Sequence, residues 1–322
     1  MREIKIERND SNQRLDRFLK KYMDEAGTGF IYKMLRKKNI KVNGAKATPE
    51  MMISEGDIIQ LFLSDETIEK FMGSREPRES KLLPRIIYED DNLVLINKPA
   101  GLLSHGVGDE FEENIVDSLT TYLINKGDYV PRLEKTFSPS ICNRLDRNTS
   151  GIIIGAKNYD ALKLVNKAIK EGKVKKYYKT IIKGSISKDF EHKGFLTKDE
   201  DKNLVDIADE KVEGSKEIHT KFRVLSSRAG YTLLEVELIT GRTHQIRSTL
   251  QAMGYPVIGD RKYGRHNVNE EFRINFGLDN QWLHGYRIVL DGLVDKLEYL
   301  NGREFLAEPD KLYERIEREL FL

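Results

Sequence analysis

Asp146 lies between Arg144 and Arg147 in the stretch NRLDRNTSG, Asn143 to Gly151, and the apolar run Ile152-Ile153-Ile154 follows at once. Positive charge near a carboxylate favours its ionised form. An ionised carboxylate on a turn beside a buried strand can serve as nucleophile or base, and arginines hold phosphates. The segment therefore points to chemistry on a polyanion. Taken alone it reads equally well as a surface salt-bridge turn, since exposed ion pairs are common and contribute little. What raises Asp146 is its place before a tight Thr149-Ser150-Gly151 turn and a buried strand.

Two further segments carry suitable residues. Leu238 to Gly264 holds Arg242, His244 and Arg247 on a turn and the helix after it. His244 and Arg247, three apart, share a helix face, while Ile246 and Leu250 face the core. The same pattern describes an amphipathic helix with basic residues in solvent. Gly241 and Gly259 at its ends would allow close approach of backbone to a ligand. Val174 to Gly184 interleaves Lys175, Lys176, Lys179 and Lys183 with Tyr177 and Tyr178. In a strand, Lys176 and Tyr178 share one face and Tyr177 and Lys179 the other. Basic residues beside aromatics suit backbone contact with base stacking, and a lysine-protected edge strand is the alternative.

These segments need elements to hold them. Arg14 to about Leu63 reads as a small unit: helical spacing at Leu15, Phe18, Leu19 and Tyr22, a second short helix around Phe30 to Leu35, a strand from Ile40 into the Asn43-Gly44 turn, and a strand at Asp57 to Leu63. Between Phe30 and Pro49, Lys33, Arg36, Lys37, Lys38, Lys41 and Lys46 occur without an acid. A solvated face is one reading and a phosphate-facing surface the other. An aperiodic polar linker follows, ending at Pro84. Beyond it, strands are expected at Leu93 to Asn97, Gly151 to Ala156, Val174 to Ile182, Ile218 to Leu225, Tyr231 to Ile239 and Leu283 to Leu290. Helices are expected at Ile115 to Ile124, Ala161 to Ile169, Thr243 to Met253 and Leu312 to Leu320. Long strands in succession with few crossover helices predict an α+β fold with a mixed, mostly antiparallel sheet. The expected division is a small domain over 1–68, a linker over 69–84 and a catalytic domain over 85–322.

Composition narrows the classes. Apolar residues make up 39% of the 322, enough for a core. The net charge is only +2, so a nucleic-acid site must be a local patch. The single cysteine, Cys142, excludes an internal disulfide and suits a reducing compartment; it reads as a small buried residue. The charged N-terminus lacks a signal peptide's apolar core, and no apolar run approaches the ~20 residues that span a bilayer. A cytoplasmic protein is expected. Gly151 to Asn158 has the wrong spacing for a phosphate loop. The six histidines lack zinc spacing, and no dinucleotide fingerprint follows a strand. No metal and no cofactor are expected.

In this order the segments resemble the RluA-type pseudouridine synthases. The family's His-Arg-Leu-Asp-Arg-x-Thr-Ser-Gly stands here as Asn143 to Gly151, with asparagine for the histidine. Its basic-tyrosine strand is similar to Lys176 to Gly184. Gly-Arg-Thr-His-Gln-Ile-Arg matches Gly241 to Arg247, followed by Ser248-Thr249 where many members have Val-His. Gly-Asp-x-x-Tyr-Gly matches Gly259 to Gly264, and Asn-Lys-Pro-x-Gly matches Asn97 to Gly101. Together these cover most of residues 84 to 300. The N-terminal stretch resembles the small RNA-binding domain first seen in ribosomal protein S-four, through Arg14-Leu15-Asp16, two short helices and Lys41-Val42-Asn43-Gly44.

The resemblance implies an enzyme that isomerises uridine to pseudouridine in RNA, most simply large-subunit ribosomal RNA, acting as a monomer. Transfer RNA is the alternative substrate, and a non-catalytic RNA-binding ribosome-assembly factor is the rival from another class. It implies that Asp146 is the catalytic aspartate, that Tyr178 stacks on the target base, that Arg247 pairs with Asp146, and that Arg144 enters the duplex as the base leaves. Lys33, Arg36, Lys37, Lys38, Lys176 and Arg242 are the other expected RNA contacts. The reaction needs no redox agent. Extruding the uracil costs a few kcal/mol, of which stacking on a tyrosine recovers about 1–3 kcal/mol.

Overall fold

Short amphipathic helices and strands at the start of the chain bury their apolar faces against one another. The computed structural model describes residues 1–72, 78–107, 112–131, 136–199 and 204–322. The chain divides into two compact units. The first contains β1 (Arg2–Lys5), β2 (Gln13–Arg14), α1 (Leu15–Tyr22), α2 (Thr28–Arg36), β3 (Ile40–Val42), β4 (Ala45–Lys46), β5 (Met52–Ile53), β6 (Ile58–Leu61) and α3 (Asp65–Phe71). A four-stranded sheet runs β1-β6-β3-β4, and β2 pairs with β5. Leu15, Phe18 and Leu19 of α1 and Ile31, Met34 and Leu35 of α2 pack on Ile4, Ile40, Val42, Ile59 and Leu61. Asn43 and Gly44 both take positive φ, 50° and 76°, as a tight two-residue hairpin requires. The unit also takes in 119–140 and 157–160. Asp10, fully buried, accepts from the Thr136 amide at 2.9 Å and its hydroxyl at 2.7 Å.

The polar stretch after Leu63 is not aperiodic from its start. Ser64 caps α3 by accepting from the Thr67 amide at 3.2 Å, and Ile68 is buried in the unit's core. Two turns are too short for periodicity to register in sequence. Residues 73–77 of the expected linker lie outside the described residues.

The second unit comprises 80–118, 141–156 and 161–322. Its eleven-stranded sheet includes β7 (Ile86–Glu89), β8 (Leu93–Lys98), β9 (Ser140–Ile141), β10 (Ser150–Ala156), β11 (Val174–Lys183), β12 (Phe190–Asp199), β13 (Leu204–Ala208), β14 (Lys216–Arg228), β15 (Tyr231–Leu238), β16 (Leu283–Leu290) and β17 (Arg303–Leu306). The order is β13-β12-β14-β15-β11-β16-β10-β8-β7, with β9 beside β10 and β17 beside β16. Along this path β10 and β16 are parallel and the other neighbours antiparallel. The helices wholly within this unit are α6 (Gln245–Ala252), α7 (His266–Phe276) and α8 (Lys311–Phe321), while α4 (Ile115–Lys126) and α5 (Tyr159–Lys170) have their residues divided between the two units. This is the expected α+β, mostly antiparallel fold. Ala161, Val165 and Ala168 of α5 pack on β8, β10 and β16, while Val268 and Phe272 of α7 and Tyr313 and Ile316 of α8 pack around Trp282. Sequence periodicity missed β12 and β13, whose alternation is broken by Gly194 and by charge, and α7, whose buried pair Val268 and Phe272 is too sparse a stripe. Among the described residues no helix is long and apolar enough to cross a membrane.

The parallel contact beside the site depends on two glycines. Gly151 has φ 124° and pairs with Gly285; a Cβ there would lie 2.3 Å from the Gly285 oxygen. A Cβ on Gly285 would come within 3.1 Å of the Tyr178 ring. Gly151→Ala is expected to cost ~3 kcal/mol or more from overpacking and backbone strain. Chemical denaturation measures this, and a wild-type midpoint would contradict the close approach.

Candidate active site

The turn that carries Asp146 is held from both sides. The Ser104 hydroxyl accepts from the Leu145 amide at 3.1 Å and donates to the Leu145 carbonyl at 2.7 Å. The Thr149 amide donates to the Asp146 carbonyl at 3.0 Å. Asn143 clips the turn to β10: Nδ2 donates to the Ile152 carbonyl at 3.0 Å and Oδ1 accepts from the Ile154 amide at 2.8 Å. After Asp146, the Arg147 carbonyl accepts from Lys98 Nζ at 2.8 Å, and the same ammonium donates to the carbonyls of Pro99 at 2.9 Å and Leu102 at 2.7 Å. Lys98 is completely buried. Burial pushes its ammonium down to about 7, opposed by the charge of Asp146, and its three carbonyl partners match the three donors of the charged form. The sequence places Lys98 just beyond a strand expected to end at Asn97, as a motif position without a role, because nothing local shows that the strand runs on to Lys98 and buries it.

Arg247 joins two carboxylates. Its Nη1 donates to Asp146 Oδ2 at 2.9 Å, while Nε and Nη2 make a bidentate pair with Asp260 at 2.6 and 2.9 Å. The Asp260 side chain is 0% exposed and that of Asp146 27%, so Asp146 is the accessible end of the chain of charges. Burial works against ionisation of Asp260, but the Arg247 hydrogen bonds and charge, with the amides of Lys262 and Tyr263, hold it below the usual carboxylate range. Burial likewise opposes the Arg247 charge and is outweighed by Asp260 and Asp146. Asp260 was a motif position without a role in sequence. An aspartate between glycine and arginine reads as a turn residue until the fold brings Arg247 onto it.

On β11 the strand parity holds. Lys176 and Tyr178 line the site, whereas the guanidinium of Arg287 sits 3.9 Å from the centre of the Tyr177 ring, and Lys179 pairs with Glu317 at 3.0 Å. The register against β16 shifts between Tyr177 and Lys179, an irregularity that re-aims a side chain. Tyr178 is buried; burial, with the charge of Asp146, pushes its phenol well above the ordinary range. Burial also lowers Lys176.

These groups face a cavity of about 900 Å³. Among its described lining residues Asp146 is the one acid, against Arg144, Lys170, Lys176, Lys198, Arg242 and Arg247. Arg144 and Arg242 are exposed. Arg147 turns away, paired with Glu112 at 2.7 and 2.8 Å. Gly241 lines the cavity, but the room at Gly259 is filled by the chain itself: a Cβ there would lie 2.3 Å from the Asn280 carbonyl oxygen. The Cys142 thiol is pushed up to about 12 by burial, which leaves it inert. In the first unit Lys33, Arg36 and Lys46 line a separate hollow of about 410 Å³ with Tyr32 and Thr48, and Lys37 and Lys38 are exposed at the end of α2.

A family model described as RNA pseudouridylate synthase matches residues 92–252, which contain Asp146, Tyr178 and Arg247. The chain belongs to the RluA-type pseudouridine synthase family. It is an RNA pseudouridine synthase. It is 30% identical to the ribosomal large subunit pseudouridine synthase C of Vibrio cholerae over 88% of this chain and 87% of that one. It is 28% identical to an uncharacterized RNA pseudouridine synthase of Mycoplasma capricolum over 96% and 98% of the two chains. The solved structure of human RNA pseudouridylate synthase domain containing 4 shares the fold, with a TM-score of 0.57 at 23% identity over 73% of the synthase and 92% of the human chain. Two residues that the motifs alone left without a purpose, Asp260 and Lys98, belong to the scaffold of the synthase's cavity.

Proposed function

We propose that the synthase isomerises uridine in large-subunit ribosomal RNA with Asp146 as the reactive carboxylate. The observation that carries the reading is Asp146, the one acid among the cavity's described lining residues, ion-paired to a buried arginine and accompanied there by six Lys and Arg side chains. A polyanion is drawn to such a cavity, and an extruded uracil finds Tyr178 to stack on. Arg247 acts as the positioning residue, holding one carboxylate oxygen of Asp146 and leaving the other for substrate. Arg144 is exposed beside it, available to fill the gap the base leaves, with Lys176 and Arg242 on phosphates. The name of the Vibrio cholerae relative supports a ribosomal target. Mapping pseudouridines in total RNA with and without this protein tests the target. Loss of sites confined to transfer RNA would overturn the ribosomal reading.

The first unit serves in this reading as an S-four-type RNA-binding domain, with Lys33, Arg36, Lys37 and Lys38 on phosphates. Replacing all four by glutamine in the full chain is expected to flatten the slope of log affinity against log salt by about 3, and to weaken binding at least tenfold at low salt. An unchanged slope would exclude these residues from the interface.

A further inference from the structure

His244 takes the left-handed conformation, φ 55°, immediately before α6. This conformation is uncommon for a residue with a Cβ, though histidine adopts it more readily than most. In this position Nε2 lies 4.0 Å from Asp146 Oδ2, and Nδ1 lies 2.9 Å from the Tyr263 hydroxyl oxygen. The Val205 amide, on β13, donates to that same oxygen at 3.1 Å. Tyr263 has one hydroxyl proton, and with the Val205 amide already donating into its oxygen, His244 Nδ1 is the acceptor in reach. A neutral imidazole carries one N–H, so the hydrogen belongs on Nε2, facing Asp146. Burial, helped by Arg247 and Lys262 and opposed by Asp146 and Asp260, keeps the ring's pKa below its ordinary value and so favours the neutral form.

We propose that His244 is a further catalytic residue: a neutral imidazole, locked in its Nε2–H tautomer by Tyr263 and the β13 backbone, that donates a hydrogen bond to a carbonyl oxygen of the target uracil. This rests on the reading of Asp146 and its cavity given above. In the isomerisation the bond from C1′ to N1 breaks, a bond from C1′ to C5 forms, the C5 proton leaves and N1 gains one. Whether Asp146 attacks the sugar or the base, negative charge builds on the uracil carbonyls. A fixed N–H donor meets that charge without reorganisation. The opposite tautomer would present a lone pair to it.

The ring-nitrogen chemical shifts of full-length protein labelled with nitrogen-15 histidine report the tautomer directly. The expected result is the Nε2–H form for His244, with that preference lost in Tyr263→Phe. On RNA from a strain lacking this protein, His244→Ala is expected to lose ~100-fold in kcat with RNA affinity within about threefold of wild type. His244→Gln, which restores an N–H donor, is expected to recover about tenfold of that loss. An Nδ1–H tautomer, or wild-type kcat in His244→Ala, overturns the proposal. Should His244→Ala fail to fold, the wild-type tautomer and the turnover of Tyr263→Phe decide instead. Asp146→Asn in parallel separates the two readings: activity there sinks the site assignment, whereas an inactive Asp146→Asn with a fully active His244→Ala sinks only the role of His244.

Discussion

Asp146→Asn is expected to lower turnover by ~10⁴-fold or more, as loss of a reacting group does. Asparagine keeps the shape of aspartate and an oxygen for Arg247 Nη1, now 2.9 Å from Asp146 Oδ2, so the turn held by Ser104 and Lys98 should not collapse. What is removed is one negative charge from a cavity lined by six Lys and Arg side chains. A polyanion should then bind at least as tightly as to wild type. The combination of lost chemistry with undiminished RNA affinity distinguishes a reacting carboxylate from a structural one, which would weaken both. Quantitative pseudouridine mapping beside a binding titration measures the two effects. Pseudouridine formation at the wild-type rate would remove Asp146 from the mechanism.

The second large effect is expected at Arg247→Met, in stability as well as rate. Methionine fills much of the volume but leaves the Asp260 carboxylate, 0% exposed, with only the amides of Lys262 and Tyr263 as partners. Removing one partner of a buried pair costs about 3–5 kcal/mol. The pH dependence has a definite sign. In the wild type, the Asp260 pKa in the folded state lies below its unfolded value of about 3.9. It therefore contributes stability that is present above that value and is lost as pH falls through the folded one. Without Arg247, burial dominates and raises the folded pKa above the unfolded one, so protonation relieves the variant. The deficit against wild type should be larger at pH 8 than at pH 5. Thermal melts at the two pH values measure it, and an equal deficit at both would show that Asp260 is not carrying an uncompensated charge.

Much of the site was legible before the fold was known. The face shared by Lys176 and Tyr178 followed from strand parity, which depends on the backbone alone. The core positions Ile246 and Leu250 followed from helical spacing and are buried. His244 and Arg247, three apart, do approach the same carboxylate, although His244 lies just outside the helix. Other positions were opaque for a physical reason. Asn143 stands in sequence only as a replacement for the family's histidine; its side-chain amide pairs with β10 as a second strand would. Lys98 and Asp260 are buried charges whose cost is met by partners far from them in sequence, and no local pattern marks such a residue as anything but a turn.

By itself the sequence determined the alternation of strands and helices, the basic patches, and the isolated carboxylate ahead of a buried strand, because these depend on chain neighbours. Chain neighbours alone could not say which cation serves that carboxylate; the family resemblance pointed to Arg247, and the tertiary structure supplies the contact and its reason. Arg144 and Arg147 are Asp146's neighbours along the chain, yet the first is exposed and the second faces Glu112. Arg247, 101 positions away, makes the 2.9 Å contact. Electrostatic attraction depends on distance through space and on the exclusion of water, and both are set only when β10, α6 and the Asp260 loop pack together.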